Sequence, residues 1–195
     1  MLNYDELPDE QLVQFALEKE DHFYHLTRRY EPKLLRFIGR TTNVTHEEAE
    51  DILQEIFLKV YLNLNGFDAT LKFSSWIYRI ARNEIINQYH KRKSSSHIVN
   101  INENDAANIL PELTGQACAH DEFITKENIR LINKALEKLP EKYREVLVLR
   151  FLEDKSYEEI SDILQKPGGT VAARLNRAKA KFCKIASRQN LGGLI

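Results

Sequence analysis

The chain has 195 residues, 29% of them charged and 43% hydrophobic, with only seven Gly and five Pro. That composition is ordinary for a soluble globular protein, and so little Gly and Pro favours helices. The net charge of −1 gives no overall attraction to nucleic acid, but the charge is unevenly distributed. The first 21 residues hold Asp5, Glu6, Asp9, Glu10, Glu18, Glu20 and Asp21 against Lys19 alone. After Asp162 there is no acidic residue, and Lys166, Arg174, Arg177, Lys179, Lys181, Lys184 and Arg188 follow. Such a chain can meet DNA at one end and a basic protein surface at the other, and charge alone reads the basic end equally as a solvated helix face.

In chain order, residues 9–93 read as nearly continuous helix in several pieces, with Pro32 near a helix start or kink. His22 and His25 are most simply surface or packed imidazoles. The clearest helix runs from about Thr45 to Leu64. Thr45 is a suitable N-cap, and Glu47 and Glu48 suit the positive helix start. Ala49, Ile52, Leu53, Ile56, Phe57, Val60, Tyr61 and Leu64 form its apolar stripe. Asn65-Gly66 breaks it, and a loop leads to a second helix from about Ser74 to Arg92. Trp76, Ile77, Ile80, Ala81 and Ile85 are its expected buried face. The same helix mixes Arg79, Arg82, Lys91, Arg92 and Lys93 with the amides Asn83, Asn87 and Gln88, and Phe73, Trp76, Tyr78 and Tyr89 lie nearby. Amides read base edges, cations hold phosphates and rings stack on unpaired bases. Composition alone leaves a solvated face and a base-reading face both open, and a Trp at this spacing is more often core.

Residues 94–121 contain no Lys or Arg and carry Glu103, Asp105, Glu112 and Asp121 without a sustained apolar period. They read as an acidic linker, partly disordered when alone. A second helical module is expected over 122–195. Its first helix, bearing Phe123, Ile129, Ile132, Ala135, Leu136 and Leu139, stops at Pro140, and the next spans about Glu141–Leu152. Ser156 with Glu159 three residues on is a capping-box pattern, heading a helix with Ile160, Ile163 and Leu164. Pro167-Gly168-Gly169 reads as a turn and Thr170 as the cap of a last helix with Val171, Leu175, Ala178 and Phe182 inward.

Helix, short turn and basic helix give the helix-turn-helix arrangement, whose second helix would lie in the major groove, although a helical hairpin with basic residues is not unique to DNA binders. Arg174, Arg177, Lys181 and Lys184 are its outward cations, available to phosphates. Cys118 and Cys183 make no CxxC pair and read as reduced thiols. No cofactor or metal set, nucleophile motif or phosphate-binding Gly loop stands out, so no enzyme is expected. With no membrane-spanning apolar run and an acidic N-terminus, the protein is expected to be cytoplasmic.

Three stretches together resemble the extracytoplasmic-function (ECF) sigma factors over roughly residues 20–187. They are Glu48-Ala49-Glu50-Asp51-Ile52-Leu53-Gln54-Glu55-Ile56-Phe57, Phe73-Ser74-Ser75-Trp76-Ile77-Tyr78-Arg79-Ile80-Ala81-Arg82-Asn83, and Ser156-Tyr157-Glu158-Glu159-Ile160 followed by Gly169-Thr170-Val171. The resemblance implies an all-α protein of two small helical domains, a sigma region 2 bundle (1–93) and a region 4 helix-turn-helix (122–195), joined by the linker. It implies that Asp51, Gln54, Glu55 and Leu58 dock on the clamp helices of core RNA polymerase. The loop from Phe67 to Phe73, with Asp68 and Lys72, would receive a base flipped from the promoter −10 element, and Arg79, Ile80, Asn83 and Asn87 would line the adjoining surface. The linker would thread polymerase channels. The helix-turn-helix would read the −35 element, through Thr170, Ala172, Ala173, Arg174, Asn176, Arg177 and Lys181, and lie near the flap. An anti-sigma factor that covers the polymerase-facing surfaces is a further expectation of the resemblance.

Two departures stand out. Ala172 and Ala173 occupy positions that usually carry Lys or Arg and then Ser, and alanine offers no hydrogen bond to a base. Gln165 stands where Gly is common. Weak or altered −35 reading is therefore expected, with recruitment leaning on the −10 element or on a DNA-bound partner, an activator or an RNA-guided complex. Simple drift to another −35 sequence is the plain alternative. The competing functions are a stand-alone helix-turn-helix regulator, which has no use for the Asn65–Lys72 loop, and an adaptor that keeps the fold without the DNA chemistry.

Overall fold

A computed structural model of the chain describes residues 4–92 and 126–188, all helical or irregular, with no strand among them. The expected linker at 94–121, together with Cys118 and Phe123, lies outside the described residues, as does the side chain of Ile129. The chain divides into two compact units.

The first unit holds α1 (Asp9–Glu18), α2 (Phe23–Thr41), α3 (His46–Asn63) and α4 (Phe73–Arg92), with 3-10 turns at Tyr4–Glu6, Glu20–His22 and Leu64–Gly66. Thr45 caps α3 as expected, and the cap is reciprocal: its hydroxyl accepts from the Glu48 N–H, and the Glu48 carboxylate accepts from the Thr45 N–H at 2.8 Å. Ala49, Ile52, Leu53, Ile56, Val60 and Leu64 are buried. Tyr61 departs from the expected stripe. It is exposed, its ring edge-on to Phe23, so a ring with a polar tip has settled at the boundary. Pro32 sits inside α2, where it removes one main-chain donor from the helix ladder. The core is aromatic. Tyr30 meets Phe73 edge-on at 5.5 Å, and Phe37 meets Tyr78 at 5.1 Å. Phe73 and Tyr78 are thus interior residues and not stacking platforms, and Trp76 is buried too; of the four aromatics near α4, Tyr89 is exposed. Ile80, expected inside, is half-buried. The two early histidines are packed: His25 stacks on Tyr4 at 4.1 Å and His22 at 5.3 Å.

The second unit takes α5 (Lys126–Glu137), α6 (Glu141–Leu147), α7 (Tyr157–Leu164) as far as Ser161, and α8 (Gly168–Arg188), with α5 and α6 both packed on α8. The expected Glu141–Leu152 helix changes character partway, passing into a π-helical turn over Val148–Leu152. The α5–α6 corner is held by Arg144. This buried side chain donates from Nε to the Leu136 carbonyl at 3.0 Å and from Nη2 to the carbonyls of Glu137 and Leu139. Ser156 and Glu159 form the anticipated capping box. The turn before α8 differs from expectation. Gly168 and Gly169 belong to the helix, and the Pro167 carbonyl accepts from the N–H groups of Thr170 and Val171. Thr170 is therefore a residue of the first turn, not the cap. The left-handed position is Gln165, with φ 52°, where glycine would be unstrained.

Candidate polymerase and promoter interfaces

On α3, Asp51, Gln54, Glu55 and Leu58 recur at helical spacing and all are exposed, opposite the buried stripe. The face continues beyond the expected set: Leu58 is 52% exposed and Leu62 67%. Two leucines one turn apart in water, flanked by carboxylates, suit a protein interface better than a solvated face. The i, i+4 spacing of Leu58 and Leu62 was the signal that sequence reasoning left unused.

The loop from Phe67 to Lys72 is ordered by its own polar groups. The Asp68 carboxylate accepts from the Thr70 N–H at 2.9 Å and from the Thr70 hydroxyl at 2.7 Å, and the Asp68 carbonyl accepts from the Leu71 N–H. Those two bonds, the backbone one first, hold the Asp68 carboxyl below its ordinary range. Phe67 is half-buried, its ring 5.4 Å from both Phe73 and Trp76, while Asp68, Leu71 and Lys72 are exposed.

Beside this loop lies a cleft of 360 Å³ between α3 and α4, lined by Lys59, Asn63 and Gly66 on one side and Trp76, Ile80, Asn83, Glu84 and Asn87 on the other. It brings together the expected Ile80, Asn83 and Asn87; Arg79 is half-buried outside its lining. Sequence reasoning missed Lys59 and Glu84. The Glu84 side chain is only 2% exposed and pairs with the Lys59 ammonium, while its second oxygen accepts from Gln88 at 2.8 Å. Burial alone would raise the Glu84 carboxyl. The hydrogen bonds from Lys59 and Gln88, with the charges of Lys59 and Lys91, outweigh it and hold the group below its ordinary range. The cleft therefore combines apolar walls, terminal amides and a neutralised acid, a lining suited to a planar polar ligand such as a base.

On α8 the exposed positions include Thr170, Ala173, Asn176, Arg177, Lys181 and Lys184, while Ala172 and Arg174 are half-buried. Of the outward cations expected there, Arg177, Lys181 and Lys184 are exposed and Arg174 is half-buried. The Lys181 ammonium lies 5.5 Å from the Tyr143 ring centroid, and Lys179 lies 4.8 Å from that of Phe151. Neither Gly168 nor Gly169 has an atom within 4 Å of where a Cβ would stand, so nothing in the unit itself requires glycine there.

A helical bundle with a polar cleft, followed by a basic helix-turn-helix, defines a DNA-binding transcription factor of the sigma-70 class, and family models agree. Residues 26–95 match Sigma-70 region 2 and residues 129–182 match Sigma-70, region 4. The chain is 33% identical over 167 residues to the ECF RNA polymerase sigma factor SigW of Bacillus subtilis, covering 85% of this chain and 89% of the relative. It is 31% identical over 182 residues to the ECF RNA polymerase sigma-E factor of Escherichia coli K12, with coverage of 90% and 92%. The chain belongs to the ECF RNA polymerase sigma factors, which are transcription initiation factors. Among solved structures its fold is similar to CnrH in complex with the cytosolic domain of CnrY, at TM-score 0.67 and 20% identity, covering 95% of this chain and 99% of that one. It is also similar to the sigma factor RpoE in complex with the anti-sigma factor NepR from Bartonella quintana, at TM-score 0.65 and 23% identity, covering 85% and 96%. Among the described residues no helix is long and apolar enough to cross a membrane.

Proposed function

We propose that this sigma factor docks on core RNA polymerase through Asp51, Gln54, Glu55, Leu58 and the adjoining Leu62, and captures an unpaired −10 base at the loop from Phe67 to Lys72. Arg79, Ile80, Asn83 and Asn87 hold the neighbouring strand. The observation that carries this reading is the convergence of Ile80, Asn83 and Asn87 in one cleft beside that ordered loop. Extrusion of a base costs a few kcal/mol, and its capture offsets that cost and keeps the duplex open. Polymerase supplies the catalysis, and the chain itself is not an enzyme. It works in the cytoplasm, with 1–93 and 122–195 as its two domains and 94–121 as an acidic linker in the polymerase channels. The complex of RpoE with the anti-sigma factor NepR supports an anti-sigma factor as a further partner.

For the −35 element we propose a phosphate grip with thinned base reading. Thr170 and Asn176 remain as polar groups on the exposed face of α8, Ala172 and Ala173 offer none, and Arg174, Arg177 and Lys181 face phosphates or the polymerase flap. Promoter choice then leans on the −10 element or on a DNA-bound partner. Transcription in vitro from a supercoiled pool of randomised promoters, with core polymerase plus or minus the protein, tests both parts. Protein-dependent start sites downstream of one short −10 motif are expected, with little sequence preference near −35. A sharp multi-position −35 preference refutes the thinned reading, and absence of initiation and of polymerase binding refutes the docking assignment.

A further inference from the structure

The start of α4 is tied to a distant part of the chain. The carbonyl of Lys72 accepts from the N–H groups of Ser75 and Trp76, which makes Lys72 the residue at the cap position, and a lysine side chain has no acceptor. The N–H of Phe73, one of the orphan donors of a helix start, donates instead to the Glu10 carboxylate at 3.1 Å, across 63 residues of sequence. A carboxylate there also meets the positive end of a 20-residue helix.

Glu10 is itself held in place. On α2, Arg29 donates to Asp9 Oδ1 at 2.6 Å, to the Leu7 carbonyl at 2.7 Å and to the Tyr4 carbonyl at 2.9 Å, and the Tyr30 hydroxyl donates to the other Asp9 oxygen. Residues 4–9 are thereby clamped to α2, and the next residue reaches the point where the Phe67–Lys72 loop becomes helix. The entry to the loop is anchored differently, by the Phe67 N–H on the Leu64 carbonyl and by its ring against Phe73 and Trp76.

We propose that Glu10 is a positioning residue for promoter opening: its carboxylate fixes the exit of the base-receiving loop, so the acidic N-terminal segment braces the −10 site from a distance. This rests on the assignment of Phe67–Lys72 as that loop. The test uses holoenzyme assembled from the full chain and core polymerase, bound to a fork-junction probe. Each non-template position of the −10 element is made abasic in turn. Wild type loses binding about tenfold at one position, the value of one well-stacked base. Glu10→Ala removes the cap and lowers that base-to-abasic ratio about fivefold, the factor a typical helix cap is worth. Glu10→Gln keeps an acceptor and retains most of the ratio. Glu10→Asp keeps the charge and a sound helix start but withdraws the oxygen by one methylene, and it reproduces the alanine loss even if Glu10→Ala folds poorly. A role confined to stability lowers binding to all probes alike. An undiminished ratio in Glu10→Ala or Glu10→Asp overturns the proposal. A wild type that shows no position-dependent ratio overturns the loop assignment itself, and the proposal with it.

Discussion

Replacing Arg144 with methionine removes the guanidinium that holds the α5–α6 corner while keeping an unbranched apolar stem. The carbonyls of Leu136, Glu137 and Leu139 then lose their charged donor, and they do not lose equally. Leu136 keeps the N–H of Leu139 at 3.0 Å, the Glu137 carbonyl is only partly buried, and the Leu139 contact is long at 3.4 Å. A hydrogen bond from a charged group contributes about 1.5–3 kcal/mol, and a buried acceptor left unpaired costs about 1–3 kcal/mol. Against that stands the cost of burying the cation: burial pushes the Arg144 guanidinium down, partly countered by the charges of Glu137 and Glu141. The balance is a destabilisation of about 2–3 kcal/mol, confined to the second unit. Hydrogen exchange on the full chain reads it directly, because protection in α6 and α8 should fall about 30- to 150-fold at the same free energies while protection in α3 and α4 stays unchanged. Holoenzyme carrying the variant should lose upstream DNA affinity and keep the −10 signal. A loss of α8 protection of only about twofold, or a loss shared equally by α3 and α4, would refute the assignment of Arg144 as the staple of this corner.

Glu84→Gln tests the paired acid of the cleft. Because the Glu84 carboxyl is held below its ordinary value of 4.5, its contribution to stability is complete above that pH and is lost as the pH falls below it. Wild type should therefore lose more stability than Glu84→Gln on acidification through that range, measured by denaturant titration at each pH, and parallel pH profiles would contradict the pairing. Leu58→Glu should weaken binding to core polymerase at least about tenfold, the loss expected at a central apolar contact. Because the side chain is exposed, the thermal midpoint should hold, and an unchanged affinity in a pull-down titration would remove Leu58 from the interface. Gln165→Gly should stabilise the second unit by about 0.5–1 kcal/mol, since the left-handed backbone at φ 52° strains any residue with a Cβ. A clear loss of stability in calorimetry would show that the contacts of the glutamine outweigh that strain.

What could be read in the sequence was what helical spacing repeats. The α3 stripe and the Ser156–Glu159 box are built from contacts within a turn or two, and the structure keeps them there, whereas Asp51, Gln54, Glu55 and Leu58 are implied by the family resemblance and are exposed. Tyr61 escaped because period alone cannot distinguish a ring that is buried from one whose polar tip stays at the surface. The glycine pair misled for a related reason. Glycine signals left-handed backbone only statistically. Here Pro167, which needs no donor of its own, leads straight into a helix at Gly168, and the strain is taken up by Gln165.

The contacts that spacing could not reveal are the ones that build the proposed −10 site. Asn83 and Asn87 are legible as one helix face, but the opposite wall of their cleft comes from α3, and the Lys59–Glu84 pair that neutralises its acid joins residues 25 apart. The cap on Phe73 comes from 63 residues upstream, and the clamp that aims Glu10 joins α2 to the N-terminal turn. None of these has a sequence period, because each pairs two helices whose mutual register is set by packing in the core. The aromatic core around Tyr30, Phe73 and Trp76 supplies that register. A change deep in this core therefore reaches the proposed base-receiving loop through the backbone of Phe73, whose ring is buried while its N–H holds the loop exit.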